Sequence, residues 1–195
     1  MRVFDIIASL LGLIILLPLL LIIGLAVRLN SPGPILYPAQ RVGRYGKLFV
    51  LYKFRSMYFR PEADGPRVTA AHDSRITTVG RILRKCKFDE LPQLINVLRG
   101  DMAFVGPRPE DPKYIPYYTE AQKTVLDLTP GITSAATLAY RNEQDLLQGS
   151  DWEEQYVSEV LPKKLDIELA YSKKQNVLED FKILMRTVLA VTFSR

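Results

Sequence analysis

Ile6–Val27, IIASLLGLIILLPLLLIIGLAV, carries no charge and is interrupted only by Ser9 and Pro18 in a background of Leu, Ile, Ala, Val and Gly. A helix of that length crosses a hydrocarbon core of about 30 Å. Three structures compete for such a run: a cleaved signal peptide, a straight spanning helix, and a helix that enters and leaves by one face. No small-x-small cleavage site follows it, which removes the first. Pro18 lacks the amide hydrogen an interior helical residue donates and crowds the preceding turn, so it predicts a kink over Ile14–Pro18. Arg2 precedes the run, and Arg28, Arg41, Arg44 and Lys47 follow it. If positive charge stays inside, both ends prefer the cytoplasm. That favours a re-entrant helix-break-helix over residues 1–30, followed by a cytoplasmic catalytic domain over 31–195; a span with a tolerated proline is the alternative.

Working outward from the anchor, Ser31–Pro34 (SPGP) turns the chain away from the membrane axis. Ile35–Gln40 and Lys47–Phe54 are β-prone and separated by RVGRYG, which predicts a hairpin. Pro61–Ser74 is polar, with Pro and Gly and no apolar period, and reads as a loop; His72, the one histidine, is read there as a surface residue. Ile76–Cys86 and Leu91–Leu98 read as helices, with Asp89, Glu90 and Pro92 in the first turn of the second. Trp152–Gln175, interrupted at Pro162, and Val177–Thr192 complete the chain. In the last helix Val177, Phe181, Leu184, Val188 and Val191 share a face, assigned to core packing, with the membrane interface as the second reading. The expected fold is mainly α with a small β-hairpin. No GxGxxG or strand–helix alternation supports a doubly wound nucleotide fold.

Among 195 residues Cys86 is the single cysteine, which excludes an intrachain disulfide and a thiolate cluster and fits a reducing compartment. The net charge of +5 is concentrated: Arg41–Arg60 holds six basic residues and Ser74–Phe88 five, with no acid among Arg41–Arg60 or between Ser74 and Phe88. Beside a membrane segment such blocks suit anionic lipids and phosphorylated substrates better than nucleic acid.

The chemistry concentrates in Phe88–Pro109, FDELPQLINVLRGDMAFVGPRP. Asp89 and Glu90 follow Arg81, Arg84, Lys85 and Lys87, and the GPRP turn presents Arg108. A solvated charged helix face would explain the carboxylates alone, but not the rigid turn carrying an arginine, a donor suited to bidentate phosphate binding. Adjacent carboxylates can divide the work, one attacking phosphorus and the other holding a hard cation such as Mg²⁺. The cation and arginines are needed because a carboxylate approaching a diphosphate meets like charge.

These residues, together with SPGPILYPAQRVGRYGKLFVLYKFRSM at Ser31–Met57, the apolar segment with Pro18, and PGIT at Pro130–Thr133, resemble the bacterial sugar transferase family, the monotopic phosphoglycosyl transferases. The resemblance covers almost the whole chain. It implies Asp89 as nucleophile and Glu90 as Mg²⁺ ligand in an Asp-Glu dyad, with Arg84 helping to hold phosphate. It further implies phosphate or nucleotide contacts for Lys53, Arg55 and Arg108, and a helix break at Pro18. The implied reaction moves a sugar 1-phosphate from a UDP-sugar to undecaprenyl phosphate at the bacterial inner membrane, the first membrane step of cell-surface glycan assembly. The chain departs from the common pattern at Ala103, Thr129 and Ser134, where many members have Ser, Arg and Gly. Thr133–Leu147 is the segment expected to choose the sugar. Two rivals stand beside this reading: a single-step transferase in which Asp89 only binds metal, and a membrane scaffold whose basic blocks bind anionic lipid by charge alone. Nucleic acid is not an expected partner, and the sequence is compatible with an oligomer.

Overall fold

The computed structural model describes residues 2–59, 69, 73–147 and 151–192, with residues 144, 145 and 192 described by their backbone only. His72 and most of the 61–74 loop lie outside the described residues. The chain is mainly helical, and divides into two compact units: Met1–Gln40 with Val50–Gly65 and Asp73–Gly100, and Arg41–Phe49 with Pro66–His72 and Asp101–Arg195.

The first unit begins with helix α1, Arg2–Asn30, which continues through Pro18. Most of its apolar surface is exposed; Ile15, Leu21, Ile22 and Leu29 each show well over half of their area. An apolar surface of that extent is unstable in water and suits lipid. Its other side is packed along its length. Near the start, the Arg2 guanidinium donates to the carbonyls of Val97 and Leu98, the latter at 2.7 Å. Gly12 lies against Leu94, where an added Cβ would come within 3.3 Å of the leucine side chain. Toward the end, Ile23 and Val27 are buried with Phe54 and Leu83, and Leu19 and Leu20 pack on the same cluster.

Strands β1 (Leu36–Val42) and β2 (Leu48–Phe54) form the expected hairpin, turned by Tyr45 and Gly46 in left-handed conformations. Helix α2 (Thr78–Lys85) is capped by Thr77, whose hydroxyl accepts from the Gly80 amide at 2.9 Å. Gly80 allows α2 to approach the end of β2: a Cβ there would sit 1.9 Å from the Ser56 carbonyl oxygen. Helix α3 covers Gln93–Arg99. The FDE segment between α2 and α3 is a separate 3₁₀ turn, not the first turn of a helix beginning near Leu91. Lys87, at φ 57°, breaks the preceding helix, and Pro92 stands at the start of the next.

The Asp101–Arg195 part of the second unit opens with β3, Ala103–Val105, followed after a 3₁₀ segment by α4, Glu120–Lys123, with Thr119 and Gln122 forming a capping box. Strand β4, Gly131–Thr133, pairs parallel with β3 in the register Ala103↔Gly131 and Val105↔Thr133. The contact requires glycine on both sides. A Cβ on Gly131 would meet the Gly106 nitrogen at 2.2 Å, and one on Gly106 would meet the Thr129 carbonyl oxygen at 2.3 Å. Helices α5 (Ala135–Ala139), α6 (Glu143–Leu146) and α7 (Trp152–Gln155) follow. A π-helical turn then leads into α8, Leu161–Ser172, with Pro162 in its first turn, where proline is tolerated.

The core of this unit gathers Tyr114, Tyr118, Tyr156, Leu161 and Leu165; the Tyr114 hydroxyl donates to Glu153 at 2.6 Å and the Tyr156 hydroxyl to Glu110. Helix α9, Val177–Thr192, corrects a sequence expectation. Its packed side carries Asp180, Ile183, Leu184 and Thr187, while Val177, Phe181, Val188 and Val191 are exposed. Polar anchoring decided the rotation: Asp180 accepts from the Tyr171 hydroxyl at 2.7 Å, and the Thr187 and Thr133 hydroxyls are 2.7 Å apart.

Candidate active site

The FDE turn presents two adjacent carboxylates in different surroundings. Asp89 is 6% exposed, and its Oδ1 is enclosed without a hydrogen-bond partner. Glu90 lies at its side, 3.6 Å from Lys53 Nζ on β2. Burial, followed by the neighbouring Glu90 charge, pushes the Asp89 carboxyl above its usual range; Lys53, Arg84 and Lys87 oppose that shift. Asp89, Glu90, Lys53 and Arg84 therefore lie in one place. Lys87, whose left-handed backbone turns the chain into Asp89, joins them.

Local structure fixes this cluster from two sides. Arg84 extends from α2 and donates to Ser56 Oγ at 3.3 Å, while Thr77 and Gly80 pin the start of that helix to Ser56. On α3, Asn96 is fully buried; its Oδ1 accepts from the Tyr52 amide at 3.0 Å and its Nδ2 donates to the Val50 carbonyl at 2.7 Å. A helical side chain thus completes the backbone pairing of β2 and fixes α3 against the strand that carries Lys53. Sequence reasoning missed Asn96, although a lone amide within LINVL was a usable signal.

Arg55 is placed differently. Its side chain is buried under the SPGP turn, donating to the carbonyls of Val27 at 3.3 Å, Ser31 at 2.8 Å and Pro32. Those carbonyls close the C-terminal end of α1, where a cation is also favoured by the helix dipole. Arg108 belongs to the second unit, on the turn after β3, and lines a small, partly open cleft with Glu110, Tyr118, Lys164 and Glu168.

Glu168 is buried in that cleft, accepts from the Ser134 hydroxyl, and has its carboxyl raised to about 7 by desolvation, against the lowering effect of that bond. The raised value means that the folded state holds a proton the unfolded chain has released. Stability should therefore fall as pH rises from about 4.5 to 7 and then level off, by about 3 kcal/mol in total. Chemical denaturation across pH 4.5–8 should show this slope, and Glu168→Gln should flatten it; an unchanged slope in the variant would place its origin elsewhere.

Among the described residues no cluster of three or more His, Cys, Asp or Glu side chains is preassembled for a metal. The dyad still suits a hard cation. It offers carboxylate oxygens, one of them enclosed and unpartnered, and Mg²⁺ commonly takes only one or two protein carboxylates with water and phosphate.

The model of the bacterial sugar transferase family matches residues 1–194. A UDP-glucose:undecaprenyl-phosphate glucose-1-phosphate transferase of Caulobacter vibrioides is 38% identical over 192 residues, covering 96% of this chain and 67% of the relative. An undecaprenyl-phosphate glucose phosphotransferase of Komagataeibacter xylinus is 36% identical over 206 residues, covering all of this chain and 36% of the relative. An undecaprenyl-phosphate galactose phosphotransferase of Salmonella typhimurium is 42% identical over 159 residues, covering 74% of this chain and 33% of the relative. The chain thus corresponds to about a third of the latter two proteins.

Proposed function

Because this chain belongs to the bacterial sugar transferase family, we propose that it moves a sugar 1-phosphate from a UDP-sugar to undecaprenyl phosphate, with Asp89 as covalent nucleophile. The observation that carries this reading is a buried carboxylate with an unpartnered oxygen, next to a second carboxylate and within the field of Lys53, Arg84 and Lys87.

An oxygen of Asp89 attacks the phosphorus that bears the sugar, the bond from that phosphorus to the UMP oxygen breaks, and UMP leaves with the electron pair. An oxygen of undecaprenyl phosphate then attacks the same phosphorus and the carboxylate departs. Both nucleophiles attack as anions, and Lys53, Arg84 and Lys87 favour the charged form of Asp89 against the effect of burial and Glu90, so no histidine base is called for in the Phe88–Pro109 block. Lys53 and Arg84 neutralise phosphoryl oxygens, and Arg108 contacts phosphate or nucleotide. Glu90, with Asp89, would hold Mg²⁺, whose chemistry here is to offset charge on the diphosphate. The relatives' names include both glucose and galactose, so membership of the family leaves the sugar open.

The packing of α1 supports a re-entrant seat in the cytoplasmic face of the bacterial inner membrane. Arg2 binds the end of α3, and Val27 and Ser31 are bound by Arg55, all within one unit. A straight span would carry one end of α1 to the far side of the bilayer, away from its partner. Pro18 supplies the weak point at which such a helix bends.

Isotope exchange tests the two-step mechanism. Labelled UMP should enter UDP-glucose or UDP-galactose with Mg²⁺ and no lipid, because the first step is reversible without an acceptor. Turnover that requires undecaprenyl phosphate, with no exchange in its absence, would favour direct transfer and leave Asp89 a metal ligand. No UMP release under either condition from a broad panel of UDP-sugars would favour the lipid-binding scaffold.

A further inference from the structure

Gln93 opens α3 four residues after Asp89 and is 1% exposed. Its Nε2 is enclosed and donates to nothing, as Asp89 Oδ1 is enclosed and accepts from nothing. Enclosed polar atoms are nearly always paired, and each one left alone destabilises the fold. Here one orphan is a donor and the other an acceptor. Leu91 and Pro92 between them keep helical backbone angles, at φ −54° and −62°. On a helix, side chains four residues apart are neighbours, and Gln–Asp pairs at that spacing form hydrogen bonds. The terminal torsion of a glutamine is soft, so its amide can turn without leaving a favoured rotamer.

We propose that Gln93 is a positioning residue for the nucleophile: its Nε2 donates to Asp89 Oδ1 and thereby orients Oδ2 toward the phosphorus. A free carboxylate swings both oxygens about its terminal bond. Tying the inner oxygen removes that freedom and sets the direction of attack, a geometric contribution that costs the substrate nothing on binding. An amide is the suitable partner. It carries no charge that would pair with Asp89 so strongly as to compete with phosphorus, whereas a lysine at this position would.

The inference rests on the transferase reading, and its test separates the two. Wild type and Gln93→Met, which keeps the length of the side chain but has no donor, are compared as full chains in vesicles containing undecaprenyl phosphate. UMP release is followed with Mg²⁺ and the UDP-sugar that wild type uses best, and thermal unfolding is measured in parallel. The expected result is a kcat lower by about 10- to 100-fold, the value of one hydrogen bond to a charged group. KM for the UDP-sugar should stay within about twofold, and kcat should be lower even at temperatures where the variant is fully folded, whatever the shift in its unfolding temperature. A purely structural Gln93 predicts the opposite, activity falling only in step with a lower unfolding temperature. A raised KM with unchanged kcat would place the amide on the substrate instead, and unchanged kinetics would leave it no part in the reaction; each overturns the proposal. Absence of UMP release from wild type would refute the underlying activity itself.

Discussion

Asp89→Asn is expected to reduce UMP release from UDP-sugar by about 10⁴-fold or more, the scale of loss when a covalent nucleophile is removed. The change replaces one oxygen by an amide nitrogen and preserves shape, so Lys53, Arg84 and Glu90 remain in place. The fold should not suffer. Burial and Glu90 raise the Asp89 carboxyl above its ordinary range, which makes its charged form unfavourable in the folded protein. Its contribution to stability is therefore fullest at acid pH and declines as pH rises through the raised value. At neutral pH a neutral asparagine should unfold at the same or a higher temperature than wild type. Lost activity with undiminished stability is the signature of a residue kept for chemistry. Labelled phosphosugar should remain with denatured wild type and not with the variant; label retained by Asp89→Asn would refute its role as nucleophile.

The second large effect is structural. Arg55→Met removes every donor from a buried site where three carbonyls at the end of α1 converge on one guanidinium. Each carbonyl left enclosed without a partner costs about 1–3 kcal/mol, so a loss of about 3 kcal/mol or more is expected. Arg55→Lys should recover little, because one ammonium cannot reproduce a planar fork with several directed donors. Thermal unfolding and limited proteolysis would measure both variants. If Arg55 instead contacts phosphate, as the YKFRSM motif implied, Arg55→Lys will lose UMP release while unfolding at the wild-type temperature.

The contrast between Arg55 and Lys53 shows how far the sequence could be read. Both are cations at the end of one strand, and composition gives no sign that one reaches Glu90 while the other turns beneath the chain to close a helix. Strand alternation alone would put residues two apart on one face, but β2 ends at Phe54, and beyond it the path of the SPGP turn brings distant carbonyls within reach of Arg55. The apolar α1 segment and the hairpin were legible because each has a local pattern of length or punctuation. The β3–β4 pair was not, since three residues are too few to show a period and the partners lie far apart in sequence. In α9 the apolar stripe was read correctly as a stripe, but Asp180 and Thr187 set which side packs. Asp89 and Glu90 were legible as a pair from charge alone, whereas Asn96 acts through the backbone of another element and had only a weak local signal.

The packing of α1 also bears on how the molecule can be handled. Ile23 and Val27 are core residues of the unit that carries Asp89, so the long apolar helix is a structural wall of that unit and not a tether tied to a finished domain. Deleting it would expose Phe54, Leu83 and their neighbours rather than release a soluble enzyme. A bilayer that solvates the outer side of α1 acts in the thermodynamic sense as a ligand of the native state, and raises stability by linkage. Melting temperature then becomes a joint property of chain and amphiphile, and detergent selection is a choice of binding partner.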